Sequence, residues 1–531
     1  MPIATATEKI LIYDFGSQYT ELITRKIREM KVYSEVLSFD TPYESVAEDF
    51  RKGIVKGIIL SGGPSSTYDA EALNCDPKLF NAGVPLLGIC YGMQLISARM
   101  PGGKVERGDK HEYGLAKAKL IKDHPLVRGL GASFKTWMSH RDKVTAAPEG
   151  FEILVQTDNT PITAFANDAL NIYGVQYHPE VNHTEFGREL ISNFVLDICK
   201  AKPNWNISNF LDSNIAEIRA KVGTDQVLLA LSGGVDSSTI AFLLQRAIGD
   251  QLHCMFIDHG LLRENEGKEL LEEFHGKHGI DLIYVDARQR FLSKLAGVSD
   301  PEQKRKIIGA EFIRTFEEES RKIAKDKHIK FLAQGTLYSD VIESAGVRID
   351  PKTGKRVAAV IKSHHNVGGL PEDMKFELIE PVRTLFKDEV RALARELQVP
   401  ERIVRKHPFP GPGLAIRVLG EITEERLAIA RHADLIMREE LDKFGLYDQV
   451  WQALIVLLPV RSVGVMGDSR TYGNPAVFRA VTSEDAMTAD WARLPHEFLE
   501  SLSNRIVNEV PEITRLVYDI TSKPPGTIEW E

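Results

Sequence analysis

Cys90 stands in the string Val84-Pro85-Leu86-Leu87-Gly88-Ile89-Cys90-Tyr91-Gly92-Met93-Gln94, where an apolar run enters Gly-x-Cys-x-Gly and a helix-like stretch follows. This is the nucleophile-elbow pattern with Cys in place of Ser, in which flanking glycines permit the tight turn that lifts the side chain out of a sheet. Helix N-termini favour thiolates, and the amide of the next residue, Tyr91, is placed to stabilise an oxyanion. A free cysteine is ordinarily a small buried hydrophobe; the elbow is what argues otherwise here. A sulfur nucleophile needs a base, and the base an orienting group. Tyr173-Gly174-Val175-Gln176-Tyr177-His178-Pro179-Glu180 supplies both: His178 to take the thiol proton, Glu180 to fix its tautomer. Ser61-Gly62-Gly63-Pro64 ends a further apolar run, and its N–H groups could complete the oxyanion hole; an ordinary glycine turn is the plain alternative.

A second chemical string is Ser232-Gly233-Gly234-Val235-Asp236-Ser237-Ser238, entered from Val227-Leu228-Leu229-Ala230-Leu231 and followed by a helix expected from Thr239. Successive amides in a glycine-rich β–α turn form an anion nest, and the helix N-terminus adds partial positive charge. The serines offer hydroxyl donors, whereas Asp236 is suited to holding Mg²⁺. No Walker A string, G-x-x-x-x-G-K-[ST], occurs. Asp258 ends the next apolar run, where doubly wound sheets gather ligands; a helix N-cap is the bland reading of it.

These residues need a scaffold. Strand-length apolar runs over 10–13, 54–60, 85–89 and 172–177, then over 227–231, 252–257, 282–285 and 331–333, alternate with helical-period stretches. That pattern predicts two α/β units with parallel sheets. A polar, proline-bearing connector at Ala201-Lys202-Pro203-Asn204-Trp205-Asn206 separates them, and a helix is expected over 208–221. After about residue 400 the pattern changes to one long helix over 424–444 and strands over 455–465, 476–481 and 513–520, which reads as a mixed α+β domain.

Composition sets the outer limits. The 531 residues carry 66 basic and 75 acidic side chains, net charge −9, with 43% hydrophobic and 27% charged residues. That length implies several domains, and the balance argues against both a disordered chain and a polybasic nucleic-acid binder. No apolar stretch approaches a membrane span, the opening MPIATATEK has neither a signal core nor a transit pattern, and the four cysteines form no C-x-x-C pair. An intracellular, cytoplasmic protein with no nucleic-acid or membrane partner is the expectation.

The Cys90, His178 and glycine-turn strings together resemble the class I glutamine amidotransferase family over residues 8–200 or so. The resemblance implies a flavodoxin-like fold and ammonia release from glutamine through a cysteine thioester, with Cys90 as nucleophile, His178 as base, Glu180 as its orienter, and Gly63 and Tyr91 as oxyanion donors. Ser139-His140-Arg141-Asp142 is similar to that family's Ser-His-Gly-Asp, with Arg141 departing from glycine. The string Ser232 to Ser238 resembles the PP-loop of N-type ATP pyrophosphatases, which implies an adenine-nucleotide α-hydrolase-like fold and transfer of AMP with departure of pyrophosphate.

Joined in one chain, the two activities would adenylylate a carbonyl oxygen and displace it with ammonia. A water-poor passage for NH₃ would help, because ammonia in water at neutral pH is mostly the unreactive NH₄⁺. The whole order of domains resembles the glutamine-hydrolysing GMP synthetase family, supported by Gln334-Gly335-Thr336-Leu337-Tyr338-Ser339-Asp340, by the Pro-Gly-rich stretch around Pro408-Phe409-Pro410-Gly411-Pro412-Gly413, and by Lys523-Pro524-Pro525-Gly526-Thr527-Ile528-Glu529-Trp530-Glu531. The resemblance implies domains at 1–203 (amidotransferase), 204–402 (ATP pyrophosphatase) and 403–531 (C-terminal dimerisation and XMP binding). It implies xanthosine 5′-monophosphate (XMP), ATP and L-glutamine as substrates, Mg²⁺ with the ATP, no organic prosthetic group, and a homodimer. It places ATP contacts at Ser232, Gly233, Gly234, Val235, Asp236, Ser237, Ser238, Asp258, Lys387 and Asp388. XMP contacts fall at Arg305, Asp468, Arg515, Lys523, Ile528 and Glu529, with Lys523 on the phosphate. Lys362 falls in a lid within a long loop over 343–371. Ser339, Ser469, Gly526 and Met100-Pro101-Gly102-Gly103 depart from the family's usual strings without removing any of these groups.

Two alternatives fit less well. A PP-loop tRNA thiolase would want a sulfur-carrying cysteine in the nucleotide half, yet Cys254 lies inside an expected strand, and the net charge disfavours tRNA. A catalytically dead sensor would not need Cys90, His178 and Glu180 all intact.

Overall fold

In the computed structural model, residues 8–69, 72–345, 347–349, 356–358, 376–483 and 488–531 are described. The chain forms two compact units, Met1–Asn214 with Leu337–Lys362, and Ile215–Thr336 with Ser363–Glu531.

The first unit is built on β1 (Lys9–Asp14), β2 (Tyr33–Ser38), β3 (Val55–Leu60), β4 (Leu86–Ile89), β5 (Lys104–Leu120), β6 (Ser133–Ala146), β7 (Glu152–Gln156), β8 (Ala164–Asn167) and β9 (Ile172–Val175). Their order is β2-β1-β3-β4-β9-β8-β7-β5-β6. The first five strands are parallel, as the buried apolar runs of β1, β3 and β4 predict. The other half is antiparallel, which corrects the expectation of a wholly parallel sheet. β6, in the long ribbon with β5, alternates buried side chains with exposed or half-buried ones, the signature of a sheet with one wet face. The expected strand over 172–177 ends at Val175, so Gln176 to Glu180 form the loop at its carboxyl end. The same unit holds the helix Tyr338–Ala345 and the short hairpin β14 (Val347–Ile349) with β15 (Arg356–Ala358), so the stretch expected to be all loop begins with regular elements. Lys362 lies outside the described residues.

The second unit carries a parallel sheet of β10 (Gln226–Ala230), β11 (Leu252–Asp258), β12 (Leu282–Asp286), β13 (Ile329–Ala333) and β16 (Glu377–Ile379), ordered β12-β11-β10-β13-β16. The helix after β10 begins at Val235, not Thr239: extended Gly234 is its N-cap, so Val235 to Ser238 form its first turn. The C-terminal part adds the helix Glu424–Lys443 and a sheet of β17 (Gln452–Leu457), β18 (Ser462–Met466), β19 (Ser469–Thr482), β20 (Asp490–Trp491) and β21 (Ile513–Tyr518) centred on β19. The strand expected over 455–465 is broken in two around Pro459, which has no N–H to give a ladder.

Among the described residues no helix is long and apolar enough to cross a membrane.

Candidate active sites

The elbow between β4 and the helix Tyr91–Arg99 owes its shape to missing side chains. A Cβ on Gly88 would lie 2.5 Å from Gly92 and Met93 backbone, and one on Gly92 would lie 2.3 Å from the Leu60 carbonyl. With both glycines in place, the turn forces Cys90 to φ 51°, a left-handed value costly for a side-chain-bearing residue. The Cys90 amide donates to the Val175 carbonyl at 2.8 Å, tying β4's end to β9's.

That tie brings His178 to the sulfur. Its Nδ1 lies 2.7 Å from Glu180 Oε1, and its ring packs edge-on against Tyr19 at 4.9 Å. Cys90 and His178 are 4% exposed and Glu180 is fully buried, so bulk water is excluded from all three. Burial presses the imidazole toward its neutral form. Glu180 and the Cys90 sulfur, itself within hydrogen-bonding reach, outweigh this and hold the ring proton well above the ordinary histidine range. The Nδ1 bond to Glu180 leaves Nε2 as the nitrogen available for proton exchange.

Gly62 backs directly onto the pair, since a Cβ there would lie 3.1 Å from His178 and 3.6 Å from Cys90. Gly63 is pressed against the Phe15 carbonyl, 2.7 Å from where a Cβ would stand. The sulfur is also approached by Gln176 Nε2 at 3.8 Å and by the Ser139 carbonyl at 3.9 Å. Gln176 lies inside the His178 string, yet nothing in its type or spacing marks it as a neighbour of the sulfur. The Ser139-His140-Arg141-Asp142 segment therefore lines this site from β6. Asp142 accepts from Tyr68 at 2.7 Å and from Ser66, and its carbonyl holds Gln94 Nε2 at 2.8 Å.

In the second unit the loop after β10 is held partly by its own serines: Ser232 Oγ and Ser237 Oγ are 3.0 Å apart, and the Ser232 amide donates to Ser237 Oγ at 3.2 Å. Gly233 adopts φ 72° against Leu270, where a Cβ would meet a methyl at 2.6 Å. Lys406, absent from the sequence reading, donates to the Gly233 carbonyl at 3.1 Å and pairs with Glu266. Asp236 Oδ2 is bound by Lys387 Nζ at 2.6 Å, while its Oδ1 is buried without a hydrogen-bond partner. Asp388 follows Lys387 in the first turn of the helix Lys387–Glu396. Ser232 stays exposed, and Gly233 lines a hollow of about 220 Å³ with Arg263, Lys406 and Arg438. Asp258, ending β11, lines a larger hollow of about 730 Å³ with Tyr284, Arg288 and Arg431. Its carboxylate accepts from the Gly260 amide at 2.9 Å and from Tyr284.

No group of three or more His, Cys, Asp or Glu among the described residues could hold a metal ion unaided. Mg²⁺ bound with a nucleotide needs less, because one or two carboxylates suffice once phosphates supply oxygens. The orphaned Oδ1 of Asp236 fits such a role.

The tail residues form a third cluster. Glu529 accepts from Arg417 and Gln452, Ile528 is buried against Val481 and Ala489, and Arg305 donates to the Glu531 carbonyl. Lys523 is bridged to Ala489 through its backbone, its amide donating at 2.7 Å. Asp468 lies in the turn between β18 and β19, and Arg515 is exposed on β21. The structure does not join these two to the tail cluster: neither makes a hydrogen bond or ion pair with it among the described residues.

Three family models match separate stretches of the chain. Residues 11–198 match the family model described as glutamine amidotransferase class-I, 206–287 that of NAD synthase, and 439–530 that of the GMP synthase C terminal domain. Among solved structures, a glutamine amidotransferase from Thermotoga maritima matches 40% of this chain and 92% of its own at 20% identity and a TM-score of 0.27. The family models define a glutamine amidotransferase domain joined to a PP-loop nucleotide domain. A GMP synthase [glutamine-hydrolyzing] from Thermosynechococcus vestitus is 60% identical over 524 residues, 98% of this chain and 96% of that protein. One from Synechococcus sp. is 59% identical over 526 residues, 99% of this chain and 97% of that protein. The chain belongs to the family of glutamine-hydrolysing GMP synthases.

Proposed function

We propose that this chain converts XMP to GMP with ATP and glutamine, in three functional domains at 1–203, 204–402 and 403–531. The observation that carries the reading is the Cys90–His178–Glu180 arrangement in the same chain as the PP-loop with its Asp236–Lys387 pair. Cys90 Sγ attacks the carboxamide carbon of glutamine while the Gly63 and Tyr91 amides receive the oxyanion. His178, oriented by Glu180, takes the thiol proton and delivers it to the departing nitrogen, releasing ammonia. Water then hydrolyses the thioester to glutamate.

In the second unit, the purine C2 oxygen of XMP attacks the α-phosphorus of ATP and pyrophosphate leaves. The amides of Gly233 to Ser238, the Ser232 and Ser237 hydroxyls and Lys387 position the phosphates, with Asp388 and, at the end of the neighbouring strand, Asp258 elsewhere in the ATP site. Asp236 would hold Mg²⁺, whose charge offsets that of the phosphates. Ammonia from the first site displaces AMP at C2. Lys523 meets the XMP phosphate, with Arg305, Asp468, Arg515, Ile528 and Glu529 around the nucleotide, and Lys362 serves as a lid residue.

All substrates are small molecules, and we read the protein as a cytoplasmic homodimer joined through its C-terminal domain. Exposed Val463 and Val465 on β18 and Tyr472, paired with Val463 across the ladder, favour that surface. An incubation with XMP, ATP, Mg²⁺ and glutamine should yield GMP, AMP, pyrophosphate and glutamate in equal amounts. Absence of both GMP and pyrophosphate would reject the reading. Light scattering should give twice the mass of one chain.

A further inference from the structure

Three fully or almost fully buried cations hold the terminal segment, and they do so differently. Arg479, 1% exposed, donates to the carbonyls of Thr521, Thr527 and Ile528 at 2.7–2.9 Å and so fixes the path of the backbone. Lys304, fully buried, donates to the Ala415 and Val418 carbonyls and to the Glu531 carboxylate. Arg417, also fully buried, takes no tail carbonyl: its Nη2 and Nε grip Glu529 Oε1 and Oε2 at 2.9 and 3.2 Å. Gln452 Nε2 donates to the same Oε1 at 2.6 Å. The Glu529 side chain remains 17% exposed, so unlike Arg417 it is not sealed in the core.

Behind Arg417 lies Asp434, 1% exposed on the helix Glu424–Lys443, whose Oδ1 is 3.6 Å from Arg417 Nη1. Asp434 Oδ2 accepts from Arg438 at 2.9 Å and lies 3.6 Å from Arg263 Nε. Arg263 and Arg417 cover the Phe409 ring at 4.5 and 5.0 Å. Three guanidiniums thus enclose two carboxylates, a surplus of positive charge around the pair. Well-packed apolar residues often stabilise a core as well as a buried ion network does, so this one calls for a reason beyond stability. The backbone of the tail is already set by Arg479, which leaves the Glu529 carboxylate as what the fork acts on.

We propose that Arg417 and Asp434 are positioning residues that set the Glu529 carboxylate against the acceptor nucleotide; this rests on reading Glu529 as an acceptor contact. Glu529 presents its carboxylate to a hydrogen-bond donor of the nucleotide. Arg417 supplies the bidentate geometry that a lysine cannot, and Asp434 fixes the guanidinium plane.

The test uses the full chain with saturating ammonium in place of glutamine, following XMP-dependent pyrophosphate release in Glu529→Gln, Arg417→Lys, Asp434→Asn and Gln452→Leu. We expect Glu529→Gln and Arg417→Lys each to raise the KM for XMP about tenfold or more, with kcat changed less than about threefold and the KM for ATP within about twofold. Asp434→Asn and Gln452→Leu should raise the KM for XMP by about three- to tenfold. Cleavage of glutamine at Cys90, measured on the same preparations, reports intact folding of the first unit, and the unchanged KM for ATP does so for the second. Should Arg417→Lys fail to fold, Gln452→Leu, which removes no charge, carries the test. If Glu529→Gln raises the KM for XMP while the other three leave it within about twofold, the positioning role is overturned and the acceptor reading stands. If Glu529→Gln itself leaves the KM unchanged, the acceptor reading fails and takes this inference with it.

Discussion

The thiol site and the phosphate loop sit at the ends of parallel strands in both units, yet they are finished to different degrees. At the first, Cys90, His178 and Glu180 are brought together and buried, with Glu180 2.7 Å from His178. At the second, the groups suited to phosphate are engaged with one another: Lys387 with Asp236, Lys406 with Glu266, Ser232 with Ser237. Covalent catalysis by a side chain can be assembled beforehand because every participant belongs to the protein. Phosphoryl chemistry is mostly positioning and charge neutralisation, so a loop suited to it offers amides, hydroxyls and cations and no reacting side chain of its own.

The widest separation between the sites should come from Cys90→Ala. Glutamine-dependent GMP formation should fall by about 10³-fold or more while ammonium-dependent formation stays within about twofold. Equal loss with both nitrogen sources would break the division. Asp236→Asn should cost about 10²-fold with either nitrogen source, read as pyrophosphate release, and leave glutamine cleavage measurable. A smaller effect is structural. Gly92→Ala, which forces a Cβ toward the Leu60 carbonyl, should destabilise the first unit by about 1–3 kcal/mol in denaturant unfolding and spare adenylylation.

The smallest effect is one of pH, and its sign differs among the buried histidines. In the second, burial pushes His259 and His407 down to about 4 against the pull of nearby groups. The unfolded chain binds a proton at each below about 6.5, so each removes about 1.4 kcal/mol of stability per pH unit as pH falls from there toward 4. His178 is raised instead: its contribution is complete below about 6.5 and is lost as pH climbs through the elevated value. Hydrogen exchange resolved by unit, run at pH 7.5 and about 5.5, should show the second unit loosening first on acidification. Glu180→Gln sharpens the same contrast, lowering the His178 titration in NMR by about 1–3 pH units.

What could be read in advance was what is written in short strings. The elbow and the His178 loop each lie within a dozen residues, and their glycines have a steric reason that any reader of spacing can anticipate. The onset of the helix at Val235 was misjudged by four residues because three serines compete as caps and Gly234 takes the role. The antiparallel half of the first sheet was missed since β5 is interrupted by a register shift between Arg107 and Glu112, which breaks its alternation. Hardest of all were Lys304, Arg417 and Arg479. Charged residues default to solvated faces, and only tertiary packing brings up the tail groups, Glu531, Glu529 and the Thr527 carbonyl, that help them to be buried.

Cys90 holds its sulfur in position by keeping its own backbone at φ 51°, where a residue without a side chain would rest more easily. Activity and durability therefore pull against each other at one atom: Cys90→Gly should be inert toward glutamine yet outlast the native enzyme on heating. Any selection of this protein for heat tolerance alone would be drawn toward giving up the very sulfur on which its nitrogen supply depends.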